Sequence, residues 1–317
     1  MGTQIVRRLL TLVPVLAVVA VVVFFLVHVA PGDPAAVMAG NEASVERVEQ
    51  LRHDMGLDRP LAEQFVSWAS RAVRGDLGDS YFLNQPVAQA LADRMEPTGL
   101  LTLYALILSI IIGLPAGIVA AVRRNSWIDR LTTVTALGGV AIPSFWLGIL
   151  MILCFAVWLR WLPAAGYTNF ADDPLENLRY LIMPAFSLGL QQAALLARVV
   201  RSSMLDVLWE DYVRTARAKG LREQVVLVRH ALPNVIIPTL TVIGNSMGSL
   251  LGGAVVTEAV FNTPGVGRLV VQSVLRRDFP VIQGAVLAIA AVYVLVNLLV
   301  DIAYVLADPR IREGSRS

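Results

Sequence analysis

Hydrophobic residues in this chain are gathered into long continuous runs that are separated by shorter polar segments. A helix needs about 20 apolar residues to cross a bilayer. Runs of roughly that length without a charged side chain occupy residues 9–29, 100–122, 131–158, 181–197, 235–257 and 281–300. The pattern predicts an all-α integral membrane protein with about six transmembrane helices.

Two of the predicted spans have unusual features. The run at 131–158 is longer than a span needs and contains a glycine pair and Pro143, which predicts a tilt or a kink. The first run follows Arg7 and Arg8, as in a signal peptide, but its apolar core is too long for one. We therefore expect this run to stay in place as the first transmembrane helix.

The composition agrees with a membrane protein and narrows the classes of function. Of the 317 residues, 56% are hydrophobic and 16% are charged, whereas soluble domains have about 25% charged residues. The net charge of +2 does not indicate a nucleic-acid partner, and the single cysteine, Cys154, leaves no disulfide framework or cysteine metal site. Membrane lipid is the partner that the composition itself implies.

Sequence motifs that would indicate catalysis are missing from the chain. It has no GxxxxGKS or GxxxxGKT loop for nucleotide phosphates, no HExxH metal motif and no GxSxG nucleophile motif. We therefore expect no catalytic residue, no metal site and no cofactor bound by this chain. The predicted spans also lack the ionisable residues at mid-membrane that a stand-alone ion-coupled transporter uses, since Asp301 lies close to the end of the last span.

The distribution of basic residues predicts the orientation of the spans, because Lys and Arg near span ends stay on the cytoplasmic side. If six spans alternate, one face receives Arg7, Arg8, Arg123, Arg124, Arg130, Arg214, Arg217, Lys219, Arg222, Arg229, Arg310, Arg312 and Arg316. The opposite segments, 30–96, 159–180 and 258–280, together contain more Asp and Glu than Lys and Arg. We expect a multi-pass membrane protein with both termini in the cytoplasm.

The first outer segment is too long for a plain loop and predicts a small helical segment outside the membrane. Ser44 can cap one helix that ends at Gly56, and Asp58 with Pro60 can start a second. Packing over the span ends and docking of an extracytoplasmic partner are both compatible with this segment. The predicted organisation is thus an anchor helix, an extracytoplasmic helical segment, a core of five spans and a cytoplasmic tail, at residues 1–30, 31–96, 97–309 and 310–317.

A basic stretch, EDYVRTARAKGLREQVVLVRHALPN, separates the fourth and fifth runs. It predicts a short helix at 210–219, a left-handed corner at Gly220 and a second helix at 222–232 that ends at Pro233. Three interpretations stay open: the stretch binds anionic lipid, it enforces the orientation, or it is a rigid elbow that fits a groove in a partner. The corner favours the elbow, because lipid binding needs charge but no defined bend.

The spacing of this stretch resembles a cytoplasmic signature of ABC-importer permeases: EAA, three residues, Gly, nine residues, then I-x-L-P. Here RTA at 214–216 is followed by three residues and Gly220, and nine more residues lead to HALP. Arg214 replaces the glutamate of that signature. An acidic residue one turn earlier, Asp211 or Glu210, could take over the contact of that glutamate with an ATPase.

The resemblance extends along nearly the whole chain, from about residue 5 to 312. It is carried by FLVHVAPGDP, RGDLGDSY, AIPSFWLGILMIL, RVVRSSMLDVLWEDYVRTARAKGL, EAVFNTPGVGRLV, RDFPVIQG and ADPRIR. On these motifs the chain is identified as similar to the first permease subunit of dipeptide, oligopeptide and nickel ABC importers.

This resemblance implies the type I ABC importer permease fold, a location in the bacterial plasma (inner) membrane and a set of partners. They are a second, homologous permease subunit, two ATPase subunits that bind ATP and Mg, and an extracytoplasmic substrate-binding protein. The substrates would be peptides, with nickel or another small ligand as the alternative. The basic stretch would be the coupling helix at 210–233, which contacts the ATPase through Glu210, Asp211, Arg214, Thr215, Ala216, Gly220, Leu221, Leu232 and Pro233.

Polar residues within the spans either line a translocation path or form hydrogen bonds between helices; the candidates are Gln191, Gln192, Asn245, Ser246 and Ser249. Small residues at every fourth position allow close helix approach, as static packing or as a seam with the second permease; they are Gly244, Gly248 and Gly252. A turn before a short helix at 266–276 either shapes an outer gate or is a plain turn; it contains Pro264, Gly265 and Gly267.

A stand-alone secondary transporter and a non-transporting membrane anchor are the competing hypotheses from other classes.

Overall fold

Helices form nearly all of the regular secondary structure in the computed structural model, which describes residues 2–29, 32–40 and 43–307, with side chains for 13–29, 32–40 and 43–300. The expectations for the side chains of Arg7, Arg8 and Asp301 and for the C-terminal tail lie outside what is described. The helices are α1 (Gly2–Val29), α2 (Pro34–Ala39), α3 (Val45–Asp54), α4 (Leu61–Ala72), α5 (Val87–Val122), α6 (Trp127–Ala141), α7 (Ser144–Met151), α8 (Pro174–Leu208), α9 (Asp211–Ala218), α10 (Glu223–Val225), α11 (Leu232–Phe261), α12 (Val266–Arg276) and α13 (Phe279–Ala307), with π-helical segments at Ile152–Trp158 and Val226–Ala231.

Four helical runs within the described residues are long and apolar enough to cross a membrane: α5, α8, Glu223–Phe261 and Phe279–Val300. A fifth is obtained if α6 and α7, with the π-helical segment after α7, count as one broken span. The apolar part of α1, Val13–Val29, is shorter than these. The predicted all-α membrane architecture is therefore confirmed, with its third span broken and its first span short in the described residues.

The third span breaks at Ile142 and Pro143, where the helices on either side meet at 99°. Both residues have extended backbones, with ψ of 120° and 134°. Proline lacks the backbone N–H of a helix interior and disfavours the helical conformation in the residue before it. The predicted kink is confirmed at the predicted proline, and it is sharp enough to separate two helices.

The chain divides into two compact units, each made from two separate segments. This differs from the predicted division, because the segment that contains α12 and the start of α13 groups with the N-terminal part of the chain instead of with the other spans. Val87, Leu269 and Val281 are buried together in one apolar cluster, which is the physical reason for this grouping. The units contain residues 1–98 with 264–294, and 99–263 with 295–317.

In the first unit the outer segment forms the expected small helices. The side chain of Ser44 accepts a hydrogen bond from the backbone N–H of Arg47 and so caps α3, as predicted. Helix α4 begins directly after Pro60, also as predicted. Trp68 of α4 is buried in an apolar cluster with Phe24 of α1, so this small core packs on the end of the first span.

In the second unit α8 is the central helix and packs against α6, α7 and α11. Its approach to α5 is unusually close, because glycines remove the side chains from the contact. A Cβ placed on Gly113 would lie 2.5 Å from the carbonyl oxygen of Ala193, and one on Gly189 would lie 2.5 Å from that of Ala105. The two backbones are therefore in direct van der Waals contact.

An ion pair fixes the start of α6 to α8. Arg201 donates from Nε to Oδ1 of Asp129 (2.5 Å) and from Nη2 to Oδ2 (2.9 Å). The backbone N–H of Asn125 also donates to Oδ2 of this carboxylate, at 2.9 Å. Asp129 is buried, so its carboxylate has lost the hydrogen bonds that water would donate. The bidentate pair with Arg201 replaces them.

Candidate functional site

The basic stretch folds as a short helix, a corner and a second helical run. Helix α9 has Glu210 as its N-cap residue and Lys219 as its C-cap residue. Gly220 follows with φ of +76°, a left-handed conformation that glycine adopts without steric cost. The predicted helix and its glycine corner are therefore confirmed.

Buried apolar side chains hold the two arms of this elbow, which we define as residues 210–233. Val213 and Ala216 of α9 pack against Val226 of the second run. Val207 and Leu208, at the end of α8, cover this small core. The elbow is thus attached to the cytoplasmic end predicted for α8 by packing, and not only by the connecting chain.

A bidentate ion pair closes the elbow across the glycine corner. Arg217 donates from Nε to Oε2 of Glu223 (3.1 Å) and from Nη2 to Oε1 (2.7 Å). Its Nη1 donates to the carbonyl oxygen of Leu208 (3.3 Å). The hydrogen bonds with Glu223 raise the pKa of the Arg217 guanidinium above its usual range. Because Arg217 joins both arms and the end of α8, the angle at the corner is fixed.

The predicted end of the second helix at Pro233 is wrong. Helix α10 continues through the π-helical segment Val226–Ala231 directly into α11, and Pro233 lies in the first turn of α11. In the π-helical segment before Pro233 the turn contains an extra residue, which shifts the pattern of backbone hydrogen bonds. Proline has no backbone N–H to donate, and it is tolerated here because this pattern is already shifted at its position. The second arm of the elbow is therefore continuous with a membrane span.

The outer surface of the elbow is polar and accessible. Asp211 and Arg214 form an exposed ion pair at 3.1 Å. Tyr212 accepts a hydrogen bond from Nδ2 of Asn234 at 2.9 Å, and burial, followed by the charge of Glu210, raises the pKa of its hydroxyl. Of the predicted coupling residues, those exposed on the surface are Glu210, Asp211, Arg214, Thr215, Gly220, Leu221 and Pro233, whereas Ala216 is buried and Leu232 is half-buried.

Sequence reasoning missed the Arg217–Glu223 pair, although its signal is present. An arginine and a glutamate flank Gly220 at a separation of six residues. Opposite charges on either side of a predicted tight corner come close in space once the corner turns. The charge order could therefore have identified the closing contact.

Gln191 bonds to the break in the third span. Its Nε2 lies 3.2 Å from the carbonyl oxygen of Val140 and 3.4 Å from that of Ile142. These carbonyls lie beside Pro143, where the helical hydrogen-bond ladder is interrupted. In this arrangement Gln191 satisfies backbone acceptors at membrane depth, where an unsatisfied group is costly.

The other polar candidates separate into one buried pair and one exposed face. Ser246 is buried and donates to Oε1 of Gln192 at 2.9 Å, which links α11 to α8. Asn245 and Ser249 are exposed on α11. Their spacing of four residues places them on one face of the helix.

The predicted glycine seam is not a single surface. Gly244 is buried, and a Cβ there would lie 2.6 Å from Cγ1 of Val300, so this glycine serves packing within the chain. Gly248 is half-buried, while Gly252 is exposed and a Cβ on it would meet nothing within 4 Å. Gly253, which the pattern did not single out, lies against α8, since a Cβ on it would lie 2.7 Å from Cδ1 of Leu188.

The predicted outer turn precedes helix α12, which spans the predicted residues 266–276. Pro264 is exposed, while Gly265 and Gly267 are buried. Gly265 is the N-cap residue, and the next backbone N–H, of Val266, donates to Oγ1 of Thr98 at 2.8 Å. The turn is thus anchored within the first unit.

Comparison with protein families gives two matches that cover most of the chain. Residues 113–313 match a family described as the inner membrane component of binding-protein-dependent transport systems. Residues 1–102 match the N-terminal part of the membrane component of such systems.

Several relatives are similar over nearly their full length. A probable peptide ABC transporter permease protein of Sinorhizobium fredii is 46% identical over 98% of this chain and 100% of its own. A putative peptide transport system permease protein of Brucella abortus is 47% identical, and the glutathione transport system permease protein GsiC of Escherichia coli K12 is 46% identical, each over 98% of this chain and 99% of its own.

The fold is also found in a solved transporter. The MetNI methionine ABC transporter, in an inward-facing conformation, contains a chain that superposes with a TM-score of 0.56 at 17% identity, over 69% of this chain and 97% of that one. This likeness shows the shared fold, while the family matches and the relatives show descent. The chain belongs to the family of inner membrane permease components of binding-protein-dependent transport systems.

Proposed function

We propose that this chain is the permease subunit of an ATP-driven importer of short peptides and catalyses no reaction itself. Two separate ATPase subunits, with ATP and Mg, supply the energy, and an extracytoplasmic binding protein delivers the substrate. The relatives named for peptide and glutathione transport support this substrate class. Membership of a binding-protein-dependent family supports the set of partners.

The elbow is the observation that carries this proposal. Its outer surface is exposed and polar, its arms are fixed by the Arg217–Glu223 pair, and its second arm continues into α11. A rigid connection of this kind transmits a push without absorbing it. When the ATPase subunits close on ATP, displacement of the elbow tilts α8 and α11 together.

The first test reverses the charge of the elbow at the two acidic residues that we propose take over the contact of the family glutamate. We expect Glu210→Lys with Asp211→Lys to lower ATP-driven peptide uptake by at least about tenfold, a loss of roughly 1.4 kcal/mol of coupling. Uptake into proteoliposomes and stimulation of ATP hydrolysis by binding protein and peptide are measured together. The control is Asp172→Lys, which reverses an exposed charge just before the first residue of α8. It should leave both the uptake and the stimulation of ATP hydrolysis unchanged. Normal uptake by the double variant would remove these carboxylates from the proposal.

The second test changes the corner itself. Gly220 has a left-handed backbone but open space around it, so a side chain there is opposed by backbone strain and not by a clash. Valine at this position costs about 1–2 kcal/mol, whereas asparagine visits this conformation readily. We therefore expect Gly220→Val to weaken coupling of ATP hydrolysis to uptake several-fold and Gly220→Asn to retain most of it. Equal coupling in the two variants would contradict a role for the fixed corner.

We also propose that the exposed face of α11 meets the second permease and lines the path. Asn245, Ser249 and Gly252 lie on this face without covering side chains. Small and polar residues permit close helix approach and can bond to a peptide backbone. The positive-inside pattern supports the orientation in which the elbow and both termini lie in the cytoplasm.

A further inference from the structure

The first unit contains a large cavity that the proposed coupling mechanism does not use. Its volume is about 670 Å³, and its lining comes from α1, α3, α4, the loop at 77–84 and the start of α13. Cavities of this size bind small molecules in proteins. Most of the lining residues belong to the segment that the charge pattern predicts to be outside the membrane, and the others lie at the ends of α1 and α13.

The walls of the cavity are held in place by buried contacts. Ser80 donates to Oδ2 of Asp278 at 2.5 Å, and the backbone N–H of Tyr81 donates to Oδ1 of the same carboxylate at 3.2 Å. Burial, with the charge of Asp278, raises the pKa of Tyr81 to about 12, so its hydroxyl stays neutral. On the opposite wall Phe24 and Trp68 pack with their ring centroids 5.7 Å apart. The cavity is therefore preformed and has an aromatic wall.

Hydrogen bonds hold the imidazole of His28 in this wall. Gln64 donates from Nε2 to the carbonyl oxygens of Arg59 (2.8 Å) and Leu57 (3.3 Å), which turns its Oε1 towards the imidazole. Nε2 of His28 lies 3.1 Å from that oxygen, and Nδ1 lies 2.7 Å from the carbonyl oxygen of Phe24. Because both ring nitrogens have a polar neighbour, the orientation of the ring is fixed.

The charged groups that line the cavity have both signs. Arg59 and Arg71 are the cations, and Asp54, Glu63 and Asp79 are the anions. None of these five side chains forms an ion pair within the described part of the chain. A cavity that offers unpaired charges of both signs is complementary to a zwitterion, which carries one charge of each sign.

The spacing of these charges on α4 sets the length of the ligand. Glu63, Ser67 and Arg71 all line the cavity and are four residues apart, so they form one row along the helix. Eight residues of helix extend about 12 Å. An extended chain of three residues spans about 10 Å between its ends. The positions of Glu63 and Arg71 along the helix are therefore spaced about as far apart as the two ends of a tripeptide.

We propose that this cavity is a peptide subsite on the permease, which binds the ammonium group of a short peptide beside Glu63 and its carboxylate beside Arg71. The substrate class in this inference rests on the proposed function. The subsite would hold peptide on the outer side, between its release from the binding protein and its entry into the path.

The test measures binding of trialanine to the permease complex in lipid nanodiscs without the binding protein. Trialanine amide and N-acetyl-trialanine each lack one terminal charge. We expect saturable binding of trialanine, with each modified peptide bound about tenfold more weakly because one charge-assisted contact is lost. In Arg71→Gln, trialanine should bind about tenfold more weakly, and trialanine amide should bind as well as trialanine. In Glu63→Gln, trialanine should lose the same affinity, and N-acetyl-trialanine should bind as well as trialanine. Arg74→Gln, an exposed change that does not line the cavity, should bind like the unchanged protein.

Two results would overturn the inference: no saturable binding of trialanine, or end-group preferences that Arg71→Gln and Glu63→Gln leave unchanged. Uptake of trialanine by the complete system separates this inference from the proposed function. If ATP-driven uptake persists while the cavity fails to discriminate, the subsite is rejected and the proposed function stands. If the complete system shows no ATP-driven uptake of peptides, the proposed function itself is rejected.

Discussion

Replacement of Gly113 by valine is expected to prevent stable packing of the second unit. A Cβ on Gly113 would lie 2.5 Å from the carbonyl oxygen of Ala193 and 3.0 Å from Cβ of Leu196. The first of these atoms belongs to the backbone of α8 and cannot move aside as the end of a side chain can. The helices must therefore separate, and the contacts along their whole crossing are lost.

The expected cost of Gly113→Val is about 3 kcal/mol or more, at the upper end of what overpacking produces. A loss of this size is a large fraction of the stability of most proteins. We expect most of the protein to be missing from the folded fraction in size-exclusion chromatography, and the remainder to unfold at a lower temperature. Both are measured on the same detergent-solubilised preparation.

Gly99 provides the control for this prediction because it lies in the same helix, α5. A Cβ on Gly99 would meet nothing within 4 Å, and its backbone is not left-handed. Gly99→Ala should therefore fold normally and be as stable as the unchanged protein or slightly more so. If Gly113→Val behaves like Gly99→Ala, the close contact between α5 and α8 is not needed for folding.

Loss of the Asp129 carboxylate is expected to be the next most damaging change. In Asp129→Ala the guanidinium of Arg201 loses both of its bonds, and the backbone N–H of Asn125 loses an acceptor. Removal of one partner from a buried pair costs about 3–5 kcal/mol. Because the Arg201 side chain is 30% exposed, water recovers part of this, and we expect about 2–3 kcal/mol.

Thermal unfolding in detergent measures this effect, and two variants test its origin. Glu176→Ala removes a half-buried carboxylate whose nearest contact is with the exposed Arg179 at 3.4 Å, and it should change the unfolding midpoint very little. Asp129→Ala combined with Arg201→Leu removes both charges and should recover much of the lost stability. A double variant that is as unstable as Asp129→Ala alone would show that the cost does not come from an unpaired arginine.

Local chemistry made much of the architecture and the elbow predictable. Long apolar runs force helices because a bilayer leaves no other partner for backbone polar groups. The elbow was predictable because a left-handed corner at Gly220 and acidic residues at the start of α9 are local signals. The bend at Pro143 was likewise predictable, since proline interrupts the hydrogen-bond ladder wherever it lies inside a helix.

One failure has a local cause, and the others come from contacts between residues that are distant in sequence. The second helix of the elbow was predicted to end at Pro233, but the helix passes through this residue because the π-helical turn before it accommodates the proline. Gln191 and Ser246 could be identified as polar residues in spans, but not as partners of a particular carbonyl or side chain. Gly244 and Gly252 share one motif, and only packing assigns the first to an internal contact.

The sequence by itself therefore determined the class of the protein, its helical spans, its glycine corner and its family motifs, because each depends on residues that are neighbours along the chain. Tertiary structure alone decided which glycines bring backbones together and which charges pair. It also joined Ser80 to Asp278, which are 198 residues apart, at the wall of the cavity. No local pattern encodes such a contact, because it exists only after helices from both ends of the chain have packed.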